Sequence, residues 1–116
     1  MPSSRTPRAG EIWSMLFDPA RGHEQRGIRP ALVISNDRFN QLPHTFCILV
    51  PLTRTDKGIP SQIPVYPPEG GLRETSFIMC EQEKSLSVTR LRRRMGNVNP
   101  ETLELVQATV ALFINQ

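Results

Sequence analysis

The chain has 116 residues, the length of one domain, which is long enough to bury a hydrophobic core without disulfides. Hydrophobic residues make up 38% and charged residues 22%, a composition that indicates a globular protein and argues against extended disorder. Lys and Arg total 14 against 11 Asp and Glu, giving a formal charge of +3, so we expect an anionic partner such as nucleic acid or an acidic peptide.

The N-terminal segment MPSSRTPRAG has no apolar region, and no stretch approaches the roughly 20 apolar residues of a membrane span. We therefore expect neither a signal peptide nor contact with a membrane. Cys47 and Cys80 each lie in an apolar, strand-like run, which favours buried free thiols over a disulfide. Together these features predict a cytoplasmic protein.

In chain order, residues 1–9 are predicted to form a flexible arm and residues 10–116 a single domain. Three apolar runs too short for helices predict the first strands, in the segments GEIWSMLF, PALVIS and TFCILVPLT. Between the second and third strands, Asn36 or Asp37 is placed to cap a single helical turn.

Residues 54–60 predict a loop, and SQIPVYP a short strand whose Pro64 indicates a sheet edge. The run SFIMCEQ predicts another buried strand, and the basic segment SVTRLRR is either helical or extended. These elements add up to five or six strands in a small curled sheet or barrel.

The last element is a helix, with Asn99 as its N-cap and Pro100 at its first position. Its predicted core face carries apolar residues at helical spacing: Leu103, Val106, Val110 and Phe113. Leu105, Leu112 and Ile114 widen this face, which indicates that the helix also meets a partner subunit.

Several chemistries have no signature in the sequence. CxxC and HxxxH motifs are absent, so we expect no metal site and no cofactor. A Walker loop, a GxGxxG motif and the GxSxG elbow of hydrolases are absent too.

Polar residues instead follow or precede the predicted strands. Arg29 closes the first loop, Thr53 ends the third strand, and Glu81-Gln82 end the SFIMC run. If the curled sheet brings these ends together, the arginine fork with neutral donors beside it suits a phosphodiester. Taken singly, each residue is better explained as a surface ion-pair partner or a strand-end residue than as part of a site.

Residues 10–40, GEIWSMLFDPARGHEQRGIRPALVISNDRFN, resemble the MazF/PemK family of toxins from type II toxin–antitoxin modules. The resemblance continues through VPLT at 50–53, CEQ at 80–82 and the Asn-Pro-Glu start of the last helix. It implies a mainly β (α+β) fold, a small SH3-like barrel (MazF/PemK/CcdB-like) with short helices and a C-terminal packing helix.

The resemblance also implies an activity. Family members are metal-independent endoribonucleases that cleave single-stranded RNA, often mRNA, at selected sequences. The substrate's own 2′-hydroxyl is the nucleophile, and the products carry a 2′,3′-cyclic phosphate and a 5′-hydroxyl. The implied partners are single-stranded RNA, a second copy in a homodimer, and a MazE-like antitoxin with an acidic, flexible segment.

Position by position, the family's catalytic arginine falls on Arg29, its threonine on Thr53 and its phosphate-holding glutamine on Gln82. Some members use an Arg-x-Asp pair near the last of these, where this chain has Met79 and Glu81, so only a carboxylate that can serve as base is kept. His23 stands where some members carry serine. It is therefore not essential to the family's chemistry, although its side chain titrates near neutrality and suits acid–base assistance.

RNA contacts are predicted mainly in the loops at 18–28 and 54–60. The predicted RNA-binding residues are Phe17, Glu24, Gln25, Arg26, Asn36 and Arg54. Phe17 and Phe39 are candidate platforms for base stacking, and each is equally well explained as a core residue. The run Arg92-Arg93-Arg94 either lines the RNA path or forms a solvated face, and the solvated face is the simpler interpretation.

Two other functions share the expected fold. One is a CcdB-like poison of DNA gyrase, and the other is a non-catalytic SH3-like binding module. The set of Arg29, Thr53 and Gln82 favours the nuclease, because a poison needs no phosphate-reactive cluster.

Overall fold

The structure is a computed structural model, and it describes residues 6–17, 27–43 and 45–114. These residues form seven strands and two α-helices, with 3-10 turns at Glu69–Gly71, Cys80–Gln82 and Val88–Arg90. The strands and helices are β1 (Glu11–Leu16), β2 (Ile28–Val33), α1 (Asp37–Asn40), β3 (Phe46–Thr53), β4 (Gln62–Val65), β5 (Ser76–Met79), β6 (Lys84–Ser87), β7 (Leu91–Asn97) and α2 (Pro100–Ile114).

All strand pairs are antiparallel, and the strand order is β4-β5-β3-β2-β1-β7, with β6 beside the first half of β3. The predicted class, a mainly β, SH3-like fold with a C-terminal helix, is confirmed, although the sheet curls without closing. β4 lies at an edge, as Pro64 indicates, because proline has no backbone N–H to donate to a second neighbouring strand.

The strand predicted for SFIMCEQ is shorter than expected. β5 ends at Met79, the turn Cys80–Gln82 interrupts the chain, and β6 then continues along the same strand, β3. Leu52 pairs with Ile78 on one side of the interruption, and Leu49 pairs with Lys84 on the other. The turn therefore bends the sheet and carries residues 81 and 82 out of the ladder.

The basic segment SVTRLRR, predicted as either helical or extended, contains a short turn followed by the start of a strand. After the turn Val88–Arg90, β7 runs from Leu91 to Asn97 and pairs with β1. Because three successive arginines interrupt its apolar pattern, the sequence showed little of the alternation that indicates a strand. With β6 and β7 the described strands number seven rather than five or six.

The core lies on both faces of the sheet. Along β3, alternate residues point to opposite faces, so that Val50 and Leu52 join a first cluster while Cys47 and Leu49 join a second. The first cluster also contains Val106 and Val110 of α2, and the second includes Trp13 and Leu91. Both faces are thus buried, and the chemistry must lie at the ends and edges of the sheet.

Helix α2 begins at Pro100, as predicted. Its first turn is fixed by the Glu69 carboxylate, which accepts hydrogen bonds from the Asn99 amide at 2.9 Å and from the Thr102 hydroxyl at 2.6 Å. Val106 and Val110 are buried, but Phe113 is 50% exposed, so its prediction as a core residue was wrong. The first cluster reaches along the helix only as far as Val110, which leaves the last turn outside the core.

Helix α1 is a single turn capped by Asn36, whose side-chain oxygen accepts a hydrogen bond from the Phe39 amide at 2.8 Å.

Cys47 and Cys80 are buried and free, as predicted, and burial raises the pKa of each thiol to about 11. In the described parts of the chain, neither helix has the length and apolar character needed to cross a membrane.

Candidate functional site

A groove of about 710 Å³ opens where the start of β2 meets the end of β3. Its walls come from four parts of the chain: β2, the end of β3, the loop after the turn Glu69–Gly71, and β7. The polar and charged side chains among the described lining residues are Arg29, Thr53, Arg54, Thr55, Arg73, Glu74, Ser76 and Arg93.

Arg29 and Thr53 lie on neighbouring antiparallel strands. Ala31 of β2 is opposite Pro51 of β3, where the pairing of the two strands ends, and Arg29 and Thr53 each lie two residues beyond that pair on their own strand. Both line the groove, with Arg29 exposed and Thr53 partly buried. An arginine of β2 and a threonine of β3, far apart in sequence, thus line the same groove.

The Thr53 hydroxyl is held by the backbone amide two residues further along the chain. Its Oγ1 accepts a hydrogen bond from the Thr55 amide at 3.2 Å. Because a hydroxyl has one donor hydrogen and two acceptor lone pairs, this bond leaves the hydrogen available to donate into the groove. Thr53 can therefore act as a neutral donor beside Arg29.

The described lining of the groove is strongly basic. It holds four arginines and one carboxylate, that of Glu74. Arg54 Nη1 lies 3.0 Å from Glu74 Oε2, and both side chains are largely exposed. An anion entering the groove therefore meets a net positive surface in which one arginine already has a carboxylate partner.

The structure does not bring Glu81 and Gln82 into this groove. Thr53 pairs with Phe77 at the beginning of β5, whereas both residues lie beyond the other end of that strand. The intervening residues of β5 alone span roughly 7 Å. The expectation that all three strand ends meet was wrong, because antiparallel β3 and β5 place the end of one beside the start of the other.

Glu81 instead joins the β3–β4 loop to the turn Cys80–Gln82. Its carboxylate accepts from Ser61 Oγ at 2.7 Å and from Gln62 Nε2 at 2.8 Å. Partial burial acts to raise the pKa of Glu81, but these hydrogen bonds outweigh it and hold the pKa below its ordinary value. A carboxylate held in this way is a weaker base than an unperturbed one.

The remaining predicted residues lie apart from the groove or outside the described structure. His23, Glu24, Gln25 and Arg26 fall in 18–26, outside the described residues. Asn36 caps α1. Its side-chain oxygen is therefore already engaged, which weakens its prediction as an RNA contact.

Phe17 is partly buried against the second cluster, with Lys84 Nζ 5.4 Å from its ring centroid. Its carbonyl oxygen accepts a hydrogen bond from the Arg90 guanidinium. Phe39 is partly buried on α1. Neither ring lines the groove, so the core interpretation fits Phe17 better than the stacking one.

The basic run separates into three environments. Arg94 pairs with the buried carboxylate of Glu11 at 3.2 Å, and Arg92 donates to the backbone carbonyls of Thr89 and Leu91. Only Arg93 lines the groove. Arg93 is exposed, as a solvated face requires, and it also lines the groove, so whether it contacts RNA stays a prediction.

Sequence reasoning missed Arg73 and Glu74 altogether. They lie in a loop with no periodicity, and only the packing of that loop against β7 places them at the groove. Among the described residues there is no group of three or more His, Cys, Asp or Glu side chains arranged to hold a metal ion.

Comparison with known proteins gives one family and several similar relatives. Residues 8–114 match the family model of the PemK-like, MazF-like toxin of type II toxin–antitoxin systems. The chain is 38% identical to the endoribonuclease MazF9 of Mycobacterium tuberculosis, covering 93% of this chain and 94% of the relative. It is 32% identical to the endoribonuclease toxin MazF of Escherichia coli K12, covering 98% of this chain and 99% of the relative.

Solved structures agree with this relationship. The fold matches MazF from Deinococcus radiodurans with a TM-score of 0.80 and 25% identity, covering 96% of this chain and 98% of that one. The same organism's MazE-MazF complex matches with a TM-score of 0.76 at 24% identity, covering the same shares of the two chains. The second likeness shows the fold alone.

Proposed function

Because this chain belongs to the PemK-like, MazF-like family of toxins of type II toxin–antitoxin systems, we propose that the groove at Arg29 and Thr53 cleaves single-stranded RNA. The observation that carries the proposal is that both side chains line one basic groove, at neighbouring ends of β2 and β3. The names of the two curated relatives, both endoribonucleases, support RNA cleavage over the poisoning of gyrase.

The chemistry is the one that the family resemblance implies, and the groove residues are assigned to its steps. The 2′-oxygen of the substrate attacks the adjacent phosphorus, and the bond to the 5′-oxygen breaks, giving a 2′,3′-cyclic phosphate and a 5′-hydroxyl. Charge builds on the nonbridging oxygens in the transition state. Arg29 stabilises this charge with paired donors, and the Thr53 hydroxyl adds a neutral donor. Neither step requires a metal or a protein nucleophile.

Two protons must also move. One leaves the 2′-hydroxyl and one reaches the departing 5′-oxygen. Arginine stays protonated, so Arg29 is suited to stabilising charge rather than acting as base. We assign the proton transfers to His23, whose ordinary pKa lies near neutrality. Glu81 is given the role of supporting the β3–β4 loop, because its carboxylate already accepts hydrogen bonds from Ser61 and Gln62.

The proposal includes the partners that the family implies. RNA enters the basic groove, with Arg54 and the loop residues Glu24, Gln25 and Arg26 in contact with it. A MazE-like antitoxin blocks the same groove with an acidic segment, since it competes for the same positive charge. The exposed apolar end of α2, which includes Leu112 and Ile114, is assigned to the homodimer, and the protein works in the cytoplasm.

The test is to incubate the purified protein with a long single-stranded RNA in excess EDTA, with a DNA of the same sequence in parallel. We expect specific cuts in the RNA, cyclic phosphate ends and intact DNA, because only RNA carries the 2′-hydroxyl. A supercoiling assay with DNA gyrase runs beside it. Intact RNA with inhibited gyrase would replace the proposal with the gyrase poison, and intact RNA with active gyrase would leave a binding module.

A further inference from the structure

The far wall of the groove carries two arginines that the proposed reaction does not use. Arg93 lies on β7 and Arg73 on the loop that follows the turn Glu69–Gly71. Both are exposed at the groove surface. Within the described parts of the chain neither guanidinium is in an ion pair, in contrast to Arg54 and Arg94.

Close backbone packing holds these two residues on the same wall. Gly71 has a positive φ of 74°, and a Cβ built on it would lie 2.0 Å from the Met95 carbonyl oxygen. A Cβ on Gly96 would lie 2.7 Å from the backbone of Gly70. The loop and β7 therefore touch backbone to backbone, which sets Arg73 next to the strand that carries Arg93.

This wall is set apart from the reacting pair by the sheet itself. Arg93 is opposite Ser14 of β1, and Ser14 is opposite Pro30 of β2. Two strand spacings, roughly 10 Å, thus separate the backbones of Arg93 and Pro30. A phosphate held by Arg29 and Thr53 lies against β2 and β3, so Arg93 approaches the RNA from the other side of the groove.

We propose that Arg73 and Arg93 form a second phosphate subsite, which binds the RNA phosphate next to the one that reacts. The inference rests on the proposed function, because it takes single-stranded RNA as the ligand. The two arginines are binding residues that hold the strand across the groove. Their donors suit a phosphate, whose oxygens accept from several directions.

The subsite is tested with Arg93→Gln and Arg73→Gln, using Arg92→Gln as the matched control. Arg92 is adjacent on the same strand and equally charged, but it does not line the groove. On an oligoribonucleotide that contains a mapped cleavage site, KM should rise about tenfold for the two groove variants, the loss of one charge-assisted contact, while kcat changes less than about twofold. Melting temperatures of all variants verify folding.

The identity of the phosphate is tested by neutralising one phosphate at a time as a methylphosphonate in the same oligonucleotide, with a 2′-deoxy sugar at the cut so that it binds without reacting. The wild-type protein should bind the oligonucleotide more weakly when the phosphate next to the cut, on one of its two sides, is neutralised. Neutralising that same phosphate should not change the RNA affinity of Arg93→Gln or Arg73→Gln. It should weaken binding by Arg92→Gln as much as binding by the wild type. The salt dependence of binding should also fall by about 0.7 in slope for each groove variant.

Two results would overturn the subsite: kinetics of Arg93→Gln that match those of Arg92→Gln, or methylphosphonate profiles of the groove variants that match the wild type. Failure of the proposed function is seen separately, as a wild type that does not cleave RNA at all. A wild type that cleaves RNA while Arg93→Gln has an unchanged KM refutes the subsite alone.

Discussion

The Thr53 hydroxyl accepts one backbone hydrogen bond and keeps its own hydrogen available as a donor. The Thr55 amide donates to its oxygen, so the hydrogen is left for the groove. Thr53→Val keeps the shape of the side chain and removes the donor. We expect kcat to fall about 10- to 100-fold with little change in KM, because the bond strengthens in the transition state.

Thr53→Ser is the matched control, since it keeps the hydroxyl and the bond from Thr55. It should retain activity within a few-fold of wild type in the same cleavage assay. Equal activity of the valine and serine variants would show that the hydroxyl takes no part.

Glu74 is the one carboxylate among the described lining residues, and it holds Arg54 at 3.0 Å. RNA entering the groove must compete with it. Glu74→Gln should therefore tighten RNA binding by roughly two- to threefold at low salt, with the gain shrinking as salt screens the charges. Stability should change little, because an exposed ion pair contributes only about 0.2–1 kcal/mol.

Fluorescence anisotropy with a noncleavable RNA, repeated over a salt series, measures this effect. Glu83→Gln supplies the control, because it removes the same charge at an exposed position outside the groove lining. A Glu74→Gln variant that binds no more tightly than Glu83→Gln would contradict the competition.

At the scale of elements, the contact between the loop at residues 70–72 and β7 is the least tolerant of substitution. Gly71→Ala combines a positive φ with a Cβ only 2.0 Å from the Met95 carbonyl oxygen. We expect a loss of about 2 kcal/mol or more in the free energy of unfolding, together with weaker RNA binding as the wall shifts.

Gly58→Ala separates the cost of a left-handed backbone from that of a steric clash. Gly58 has a similar φ of 66°, but a Cβ built on it would meet no atom within 4 Å. The substitution should cost about 1 kcal/mol, the strain of a left-handed residue alone. Denaturant unfolding of both variants makes the comparison, and equal losses would contradict a tight contact between the loop and β7.

The brace at Glu81 is also an element-scale feature, since it ties the β3–β4 loop to the turn Cys80–Gln82. Its pKa is lowered in the folded state, so its contribution to stability is present above the unfolded pKa, near 4.5, and is lost as pH falls through the lower folded value. Glu81→Ala should therefore lower the melting temperature at neutral pH, and the difference from wild type should vanish in acid.

Thermal unfolding across a pH series measures this difference, with Glu83→Ala as an exposed neighbouring control. A difference that stays constant down to strongly acidic pH would show that the carboxylate contributes no charge-dependent stability. RNA cleavage by Glu81→Ala that keeps its kcat would further support a brace over a catalytic base.

At the scale of the whole molecule, the sequence predicted the parts that depend on local pattern. The apolar runs of β1, β2 and β3, the Asn36 cap and the Asn99-Pro100 helix start are all local signals, and each was confirmed. β7 was missed as a defined strand because consecutive arginines hide its alternation. The fold class depended on the family resemblance in addition to the pattern.

The groove could be predicted only in part, because it is a product of register. Arg29 and Thr53 were identified from the family resemblance, and pairing of β2 with β3 explains why they line the same groove. The same antiparallel geometry separates them from Glu81 and Gln82, a relation that no local pattern reveals. Arg73, Glu74 and Arg93 reach the groove through tertiary contacts alone.

We propose that Arg29, together with Thr53, stabilises attack by the RNA's own 2′-hydroxyl. The most direct measurement is single-turnover cleavage of a mapped oligoribonucleotide in EDTA by wild type, Arg29→Ala and His23→Ala. A second substrate differs only by a 2′-deoxy sugar at the cut. We expect no cleavage of that substrate by any protein, loss of activity by at least about 10²- to 10³-fold in Arg29→Ala, and a smaller loss in His23→Ala. Cleavage of the deoxy substrate, or equal losses in the two variants, would contradict it.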